Sequence, residues 1–356
     1  MWFSYLMLVV GLVVILVGCD VFTNSIEWLG KKLDLNEGVL GSIFAAVGTA
    51  LPETLIPVVA VVFAGSEADS HAHDVGIGAI IGAPLMLATL AMLVTGTAVF
   101  IFTAQRRRTI VMKVNSKILS RDIRFFLLAF AVALAAGFIA DQLTKIVIAV
   151  GLVVYYAFYV YKHATDKSSH VESEDEVAEE LSPLHFARKN DNPPLGLITG
   201  QIVVGLALII GAAYLFVQYV SDVANSLGVT SLILSLIIVP IATELPEKFN
   251  SVLWVKRSKD TLALGNITGA MVFQSTLPVA FGLAFTDWTA NAEYAPAFAQ
   301  AALALVAAAI LFGAMVWQKR LTARAMLFAG LWYIVWLILV FPFDLQKKVE
   351  NLGFGL

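Results

Sequence analysis

The sequence predicts an all-α polytopic membrane protein with ten transmembrane helices, arranged as two five-helix repeats of inverted topology. Three observations support this prediction. Of the 356 residues, 59% are apolar and only 14% are charged, whereas charged residues make up about a quarter of typical soluble domains. Apolar runs long enough to cross a bilayer, about 20 residues each, recur along the whole chain. Two sequence blocks also occur once in each half.

The ten spans are delimited by charged residues and by breaks rich in Gly, Pro and Asn. They lie near 3–28, 36–64, 74–103, 123–140, 143–161, 196–224, 229–255, 261–286, 295–317 and 322–343. Such a composition argues against a soluble enzyme, an extracellular module and a nucleic-acid-binding protein. Spans 2, 3 and 7 contain Pro52, Pro57, Pro84, Pro240 and Pro246, and we expect these prolines to interrupt their helices. Backbone groups released in this way must lie inside a helical bundle or line a cavity.

The placement of positive charge predicts the orientation in the membrane. The loops after spans 1, 3, 5, 7 and 9 hold 19 of the 23 Lys and Arg residues. Cytoplasmic loops collect these residues, so we expect those five loops inside the cell and both termini outside. The prediction is an integral protein of the plasma (inner) membrane, surrounded by the lipid bilayer.

An internal repeat divides the chain into related halves. The segment from Thr49 to Glu53 matches the segment from Thr243 to Glu247, and 78–83 matches 265–270 at a shift of 187 residues. Five spans per half is an odd number, so the second half enters the membrane from the opposite side. Inverted repeats are typical of secondary transporters. The predicted divisions are a first repeat over 1–161, a cytoplasmic acidic linker over 162–195, and a second repeat over 196–356.

Acidic side chains within the spans are the candidate cation ligands. Each costs about 2.5–3.5 kcal/mol at the centre of a bilayer on insertion scales. Thr49 shares a helix face with Glu53, and Thr243 and Glu244 share a face with Glu247. Oxygen ligands of this kind suit Ca²⁺, Na⁺ or Mg²⁺ better than transition metals. The alternative is that the glutamates brace the bundle through hydrogen bonds, for example with Lys248.

The two blocks that end in Glu53 and Glu247 resemble the α-repeats of the cation/Ca²⁺ antiporter superfamily, the sodium/calcium exchangers. The resemblance covers spans 1–3 and 6–8, about half of the chain. It implies that Glu53 and Glu247 are the central ligands and that Thr49 and Thr243 supply further oxygens. It also implies a role for Gln274, which stands where the second block of the family usually ends in Asn or Asp.

Exchange of a divalent cation, Ca²⁺ first, for Na⁺ or H⁺ by alternating access is therefore the expected function. The transported ions would be the substrates of a transporter that is not an enzyme, has no cofactor and binds no nucleic acid. The candidate oxygens can supply one site for Ca²⁺, which takes 6–8 oxygen ligands, but not several separate Na⁺ sites. A cation channel or uniporter, and a non-transporting scaffold or sensor that keeps a cation site, are the alternatives. The oligomeric state does not follow from the sequence.

Two further features lead to expectations that a structure can test. Gly78 and Gly82, like Gly265 and Gly269 in the second half, have the small-xxx-small spacing that lets membrane helices pack closely. The predicted outer loop holds His71, His73 and Asp74, and it would bind zinc, guide cations towards the site, or simply be solvated.

Overall fold

The computed structural model describes residues 1–33, 54–62, 70–165, 182–318 and 321–351, without the side chains of 70–72, 164, 245–250, 316–318 and 341–351. Thr49 and Glu53 lie outside the described residues. Glu247 is described only as part of a helical backbone.

Within the described residues the chain is almost entirely helical. The helices are α1 (Trp2–Lys32), an unlabelled helical stretch over 54–62, α2 (Ser70–Met86), a π-helical turn (Leu87–Ala91), α3 (Met92–Ala104), α4 (Ser116–Ala136), α5 (Gln142–Thr165), a 3₁₀ turn (His185–Ala187), α6 (Leu195–Leu227), α7 (Ser231–Lys256), α8 (Asp260–Gln274), α9 (Leu277–Phe285), α10 (Ala295–Gln318) and α11 (Ala323–Asn351). Two short strands, β1 (Val111–Met112) and β2 (Leu321–Thr322), pair antiparallel.

Seven segments of the described chain are long and apolar enough to cross a membrane. They are Trp2–Lys32, His73–Ala104, Gln142–His163, Leu195–Leu227, Asp260–Phe285, Ala295–Met315 and Ala323–Val340. Each corresponds to a predicted span, and together they identify an integral membrane protein. The full count of ten spans stays a prediction.

Helix α4 begins at Ser116, seven residues before the predicted start of the fourth span at 123. Its first two turns carry charged residues, which made them look like a loop in the sequence. The side chain of Asn115 caps the helix by accepting hydrogen bonds from the backbone N–H groups of Lys117 and Ile118 at 3.1 and 3.5 Å. Such caps satisfy donors that have no partner within the helix.

The first helices of the two halves, α1 and α6, pack antiparallel along their length. Gly11 of α1 contacts Ala212, whereas Gly18 contacts Ile209, nearer the start of α6. Further along α1, Phe22 packs on Gly205. Corresponding helices that run in opposite directions are what an inverted repeat requires.

The third span of each half lies at the centre of the bundle. In the apolar stretches of α2–α3 and α8–α9, 83% and 78% of the residues are buried, compared with 33% in α1 and in α6. The first spans therefore present most of their surface to lipid, and the third spans form the interior.

Loops that the charge pattern assigns to one side of the membrane meet one another in the structure. Arg108, after α3, binds the carboxylate of Asp260 and the carbonyl of Val255, at the junction of α7 and α8. The β1–β2 pair joins the segments before α4 and before α11. At the opposite end of the bundle, the backbone N–H of Ala290 donates to the carbonyl of Gly137 at 2.7 Å. The described loops thus form two groups at opposite ends of the bundle.

The structure adds two findings at the ends of the predicted linker. Helix α5 continues to Thr165, so the predicted boundary at 161 lies inside a helix. The described part of the linker also packs on α1. The side chains of Asn24 and Trp28 donate to the carbonyl of Ser182 at 3.2 and 3.0 Å. Hydrogen bonds to its backbone thus hold residues 182–185 against the first helix.

Candidate cation site

Two of the predicted ligands lie together in the interior of α7. Thr243 is 3% exposed and Glu244 is fully buried. The hydroxyl of Thr243 donates to the carbonyl of Val239 at 3.1 Å, one turn earlier, which fixes the side chain against its own helix. The structure therefore places a carboxyl group and a hydroxyl group inside the bundle.

The convergence of Glu244 with the other two glutamates stays a prediction. Glu53 and Thr49 lie in the segment 34–53, outside the described residues, and the side chain of Glu247 is not described. Among the side chains that the structure does describe, no three His, Cys, Asp or Glu groups are close enough to hold a metal ion together.

Gln274, the last predicted ligand, marks a break in the eighth span. Helix α8 ends at Gln274, Ser275 and Thr276 interrupt the helix, and α9 begins at Leu277. The hydroxyl groups of Ser275 and Thr276 both donate to the carbonyl of Val272, at 2.9 and 2.8 Å. These bonds satisfy a carbonyl that the helix end would leave without a donor.

The side chain of Gln274 lies within this break and is 1% exposed. Its amide nitrogen donates no hydrogen bond to any residue that the structure describes. A break at membrane depth is tolerated only inside protein or along a cavity, and broken helices of this kind carry the ion sites of many transporters. Gln274 is therefore well placed to contribute to a polar site.

The third span has an irregularity at the corresponding position. The shift of 187 residues between the two repeats aligns Leu87 with Gln274 in sequence. The π-helical turn Leu87–Ala91 begins at this position. Turns of this type occur frequently at functional sites. Leu87 is apolar and fully buried, so its side chain offers no oxygen ligand at that position. The backbone irregularity is thus common to both halves, whereas the polar side chain is present in the second half only.

Close packing of α2 on α7 confirms the predicted role of Gly78 and Gly82. A Cβ atom at Gly78 would lie 2.9 Å from the Cβ of Ser235, and one at Gly82 would lie 2.6 Å from the carbonyl oxygen of Leu236. No such contact to a described residue occurs at Gly265. At Gly269 the nearest described atom to an added Cβ is the hydroxyl oxygen of Tyr159, at 3.8 Å, so close packing at the second pair stays a prediction.

The prediction that prolines interrupt spans 3 and 7 is wrong at the level of secondary structure. Helix α2 continues through Pro84, and helix α7 continues through Pro240 and Pro246. A proline removes one hydrogen bond to the carbonyl four residues earlier, and the remaining bonds keep the helix intact. The carbonyl released by Pro240 belongs to Leu236, and it packs against the backbone of Gly82. This carbonyl is therefore part of the packing contact between α7 and α2.

Two buried polar residues near these helices were not predicted. The amide nitrogen of Gln300, in α10, donates to the carbonyl of Gly82 at 3.3 Å, and Gln300 is fully buried. Ser235 of α7 is also fully buried. Each is an isolated polar residue within an apolar span, a signal that points to function or to pairing.

The predicted outer loop is partly helical, because 70–74 belong to α2. His73 is half-buried and Asp74 is buried, so this end of the segment is not solvated. The hydroxyl of Tyr294 bonds to the side chain of Asp74, and burial together with this carboxylate raises the pKa of Tyr294. Asp74 therefore helps to attach the start of α2 to the segment that precedes α10.

Comparisons with known proteins agree with this architecture. Residues 3–162 and 197–341 match the family model described as sodium/calcium exchanger protein. The protein CaxA of Alkalimonas amylolytica is 27% identical over 270 residues, which cover 74% of this chain and 75% of that one.

Two solved structures share the fold. The structure of the H⁺/Ca²⁺ exchanger CAX superposes with a TM-score of 0.69 at 13% identity, covering 98% of this chain and 91% of that one. The sodium-calcium exchanger NCX_Mj superposes with a TM-score of 0.57 at 20% identity, covering 95% and 99%.

Proposed function

Because the chain belongs to the sodium/calcium exchanger protein family, we propose that it exchanges a divalent cation, Ca²⁺ first, for Na⁺ or H⁺ by alternating access. The family and the fold are those of cation/Ca²⁺ antiporters, which are transporters and not enzymes. The transported cations are its substrates. The identities of the divalent ion and of its counter-ion are part of this proposal.

The observation that carries this proposal is the pair of matched irregularities in the two most buried spans. The eighth span breaks at Gln274, and the third span forms a π-helical turn at the equivalent Leu87. In secondary transporters, interrupted helices from two repeats meet near the membrane midplane and form the ion site. The fully buried Glu244 on α7, which packs against both spans, adds a charged oxygen ligand.

The proposed ligands are drawn from the two repeated blocks and from the broken span. They are Glu53, Glu244, Glu247, Thr49, Thr243 and Gln274. Carboxylate, hydroxyl and amide oxygens are the ligands that Ca²⁺ prefers, and six to eight of them complete its coordination. Three carboxylates that are close together also repel one another, which favours protonation when the ion is absent. Competition between protons and the divalent ion would follow.

The proposed topology has ten spans in two inverted halves, with both termini outside and the linker in the cytoplasm of the cell. The antiparallel packing of α1 and α6 supports the inversion. The two groups of loops at opposite ends of the bundle support the alternation of sides. Labelling of single cysteines from each side of an intact cell, for example at Asn190 and Asn291, tests the orientation. Reaction of both positions from the same side would contradict it.

Transport by the purified protein in proteoliposomes is the decisive experiment. Uptake of radioactive Ca²⁺ is measured under an imposed Na⁺ gradient, then under an imposed pH gradient, and then with neither. We expect uptake only when one of the opposing gradients is present. Uptake that needs no counter-ion would favour a channel or uniporter. Binding of Ca²⁺ without any flux would favour the scaffold or sensor.

Two variants test the site directly. Glu53→Gln and Glu247→Gln keep the size of the side chain but remove its charge, so we expect each to abolish uptake while the protein stays folded. Glu293→Gln, at an exposed outer position, is the control and should transport like the wild type. Wild-type flux in either of the first two variants would refute the assignment of ligands.

A further inference from the structure

A buried carboxyl group outside the proposed site joins three helices. Asp122 of α4 is 1% exposed. One of its oxygens accepts a hydrogen bond from the hydroxyl of Thr268 in α8 at 2.8 Å, and the other accepts one from the hydroxyl of Tyr159 in α5 at 3.1 Å. None of these three residues belongs to the proposed set of ligands. The function proposed above gives Asp122 no role.

The contact with Thr268 connects Asp122 to the helix that ends in the ion site. Thr268 precedes Gln274 by six residues, which corresponds to roughly 9 Å along α8. A change in the hydrogen bond at Thr268 therefore acts on the same rigid helix that positions Gln274.

The other half of the molecule has a matching contact with different chemistry. There the fourth span of the half, α10, uses Gln300 to bond the carbonyl of Gly82 in the third span. The shift of 187 residues between the two repeats aligns Thr268 with residue 81, which is next to Gly82 in sequence. Each third span is thus held by a buried polar side chain of a fourth span. An amide does not titrate, whereas a carboxyl group does, so only the contact made by Asp122 can respond to protons.

The surroundings of Asp122 can accommodate both of its protonation states. The hydroxyl of Thr268 also lies 3.4 Å from the carbonyl oxygen of Gly265. When the carboxyl group gains a proton, that proton can be donated to Thr268, whose own hydrogen then turns to Gly265. The bond from Tyr159 to the second oxygen is unaffected. In both states the hydroxyl hydrogens of Thr268 and Tyr159 and the acid proton have acceptors, so none of them carries the free-energy cost of a buried donor without a partner.

Around Asp122, the charged and titratable side chains come from α4 and α5, whereas α8 contributes the hydroxyl of Thr268 and α10 an aromatic ring. Arg121, on the same helix, places its Nε atom 3.8 Å from the carboxylate and also bonds His163 of α5 at 2.6 Å. Tyr156 and Tyr159 of α5 stand beside each other, with ring centroids 6.0 Å apart. Helix α10 contributes the ring of Phe312, and Arg124 lies over this ring at 5.6 Å.

We propose that Asp122 is a proton-binding positioning residue, which links the proton concentration to the attachment of α8 and so to the position of Gln274. This inference deepens the proposed antiport, on which it rests. The hydrogen bond from Thr268 is the physical link. With the carboxylate charged, Thr268 holds α8 to α4, and with the carboxyl group protonated this attachment becomes weaker, because bonds to charged acceptors are stronger than neutral ones.

The test compares the pH profile of Ca²⁺ uptake in four proteins. Wild-type protein, Asp122→Asn, Thr268→Val and Thr268→Ser are assayed in proteoliposomes between about pH 5.5 and 8.5, a range that brackets neutral pH. Asp122→Asn should lose the pH dependence due to this group and flatten the profile. Thr268→Val should shift the midpoint to higher pH, because the charged form loses a donor. Thr268→Ser keeps the hydroxyl and should restore the wild-type midpoint.

Asp222→Asn is the matched control. This carboxylate also joins two helices, since it accepts a hydrogen bond from Ser4 at 3.0 Å, but the helices that it joins are α6 and α1. Its removal should leave the profile unchanged. If Asp122→Asn and Thr268→Val both keep the wild-type profile, or if Asp222→Asn alters it equally, the proposal is wrong.

A second measurement separates this proposal from the proposed antiport. The melting temperatures of wild type and Asp122→Asn are compared over the same pH range in detergent. The difference between them should change with pH, because only the wild type binds a proton there. A constant difference overturns the proposal for Asp122 whatever the transport result. A pH-dependent difference in a protein that moves no Ca²⁺ would support proton binding and refute the antiport.

Discussion

Replacing Gly82 by alanine should destabilise the contact between the third and seventh spans. The added Cβ atom would lie 2.6 Å from the carbonyl oxygen of Leu236 and 2.6 Å from Cγ of Pro240. Both atoms are fixed, one in the backbone and the other in a ring, so neither can rotate away. The two helices must therefore move apart by roughly 0.8 Å at this contact. This is the difference between 2.6 Å and 3.4 Å, the distance at which ordinary van der Waals contact begins.

Overpacking of this kind costs about 1–3 kcal/mol in well-packed interiors. We expect the melting temperature of Gly82→Ala in detergent, followed by tryptophan fluorescence, to fall by several degrees. Gly78→Ala should have a smaller effect, because its closest contacts would be 2.9 and 3.0 Å. Ca²⁺ uptake should decline in the same order, since this contact sets the distance between two spans that flank the proposed site.

Gly211→Ala provides the matched control. Gly211 is exposed on the lipid-facing side of α6, and no described atom lies within 4 Å of an added Cβ. Alanine is the better helix former by about 1 kcal/mol, so this variant should be neutral or slightly more stable. If Gly82→Ala melts at the same temperature as Gly211→Ala, the close approach of α2 and α7 described here is incorrect.

Two further predictions concern charge. Asp260→Asn should destabilise the protein by about 3–5 kcal/mol. It leaves the buried guanidinium of Arg108, which donates to Asp260 at 2.7 and 2.8 Å, without its counter-charge. Equal melting temperatures for this variant and for the exposed Asp141→Asn variant would contradict the expectation. Gln274→Asp adds a charged oxygen at the break in the eighth span and should lower the half-saturating Ca²⁺ concentration or change the coupling ion. Unchanged uptake kinetics in both respects would mean that position 274 does not face the site.

The sequence was sufficient for the membrane class, the family and most of the helices. The predicted spans at 196–224 and 295–317 agree with α6 and α10 to within a few residues. These features are local, because the free energy of transferring a side chain from water to lipid depends on that side chain. The sum of these free energies over a stretch of sequence locates a membrane helix. The prediction of an inverted arrangement also rests on local information, namely a repeated block and an odd number of predicted spans in each half.

Local information failed where a distant partner changes the behaviour of a residue. The charged start of α4 was assigned to a loop, but Asp122 is accommodated there because residues 37 and 146 positions away donate hydrogen bonds to it. Pro240 was expected to break its helix, yet the helix continues and the released carbonyl packs on Gly82. The break at Ser275 and Thr276 was not predicted, because two hydroxyl groups cap the helix end without a glycine.

The sequence by itself determined that the chain crosses the membrane, that one sequence block occurs in both halves, and that this block carries a glutamate at matching positions. Only the tertiary structure decided which polar groups meet, such as Gln300 with Gly82 and Asp122 with Thr268. The physical reason is that hydrophobic transfer is additive along the chain, whereas a buried hydrogen bond depends on the placement of two residues by separate helices.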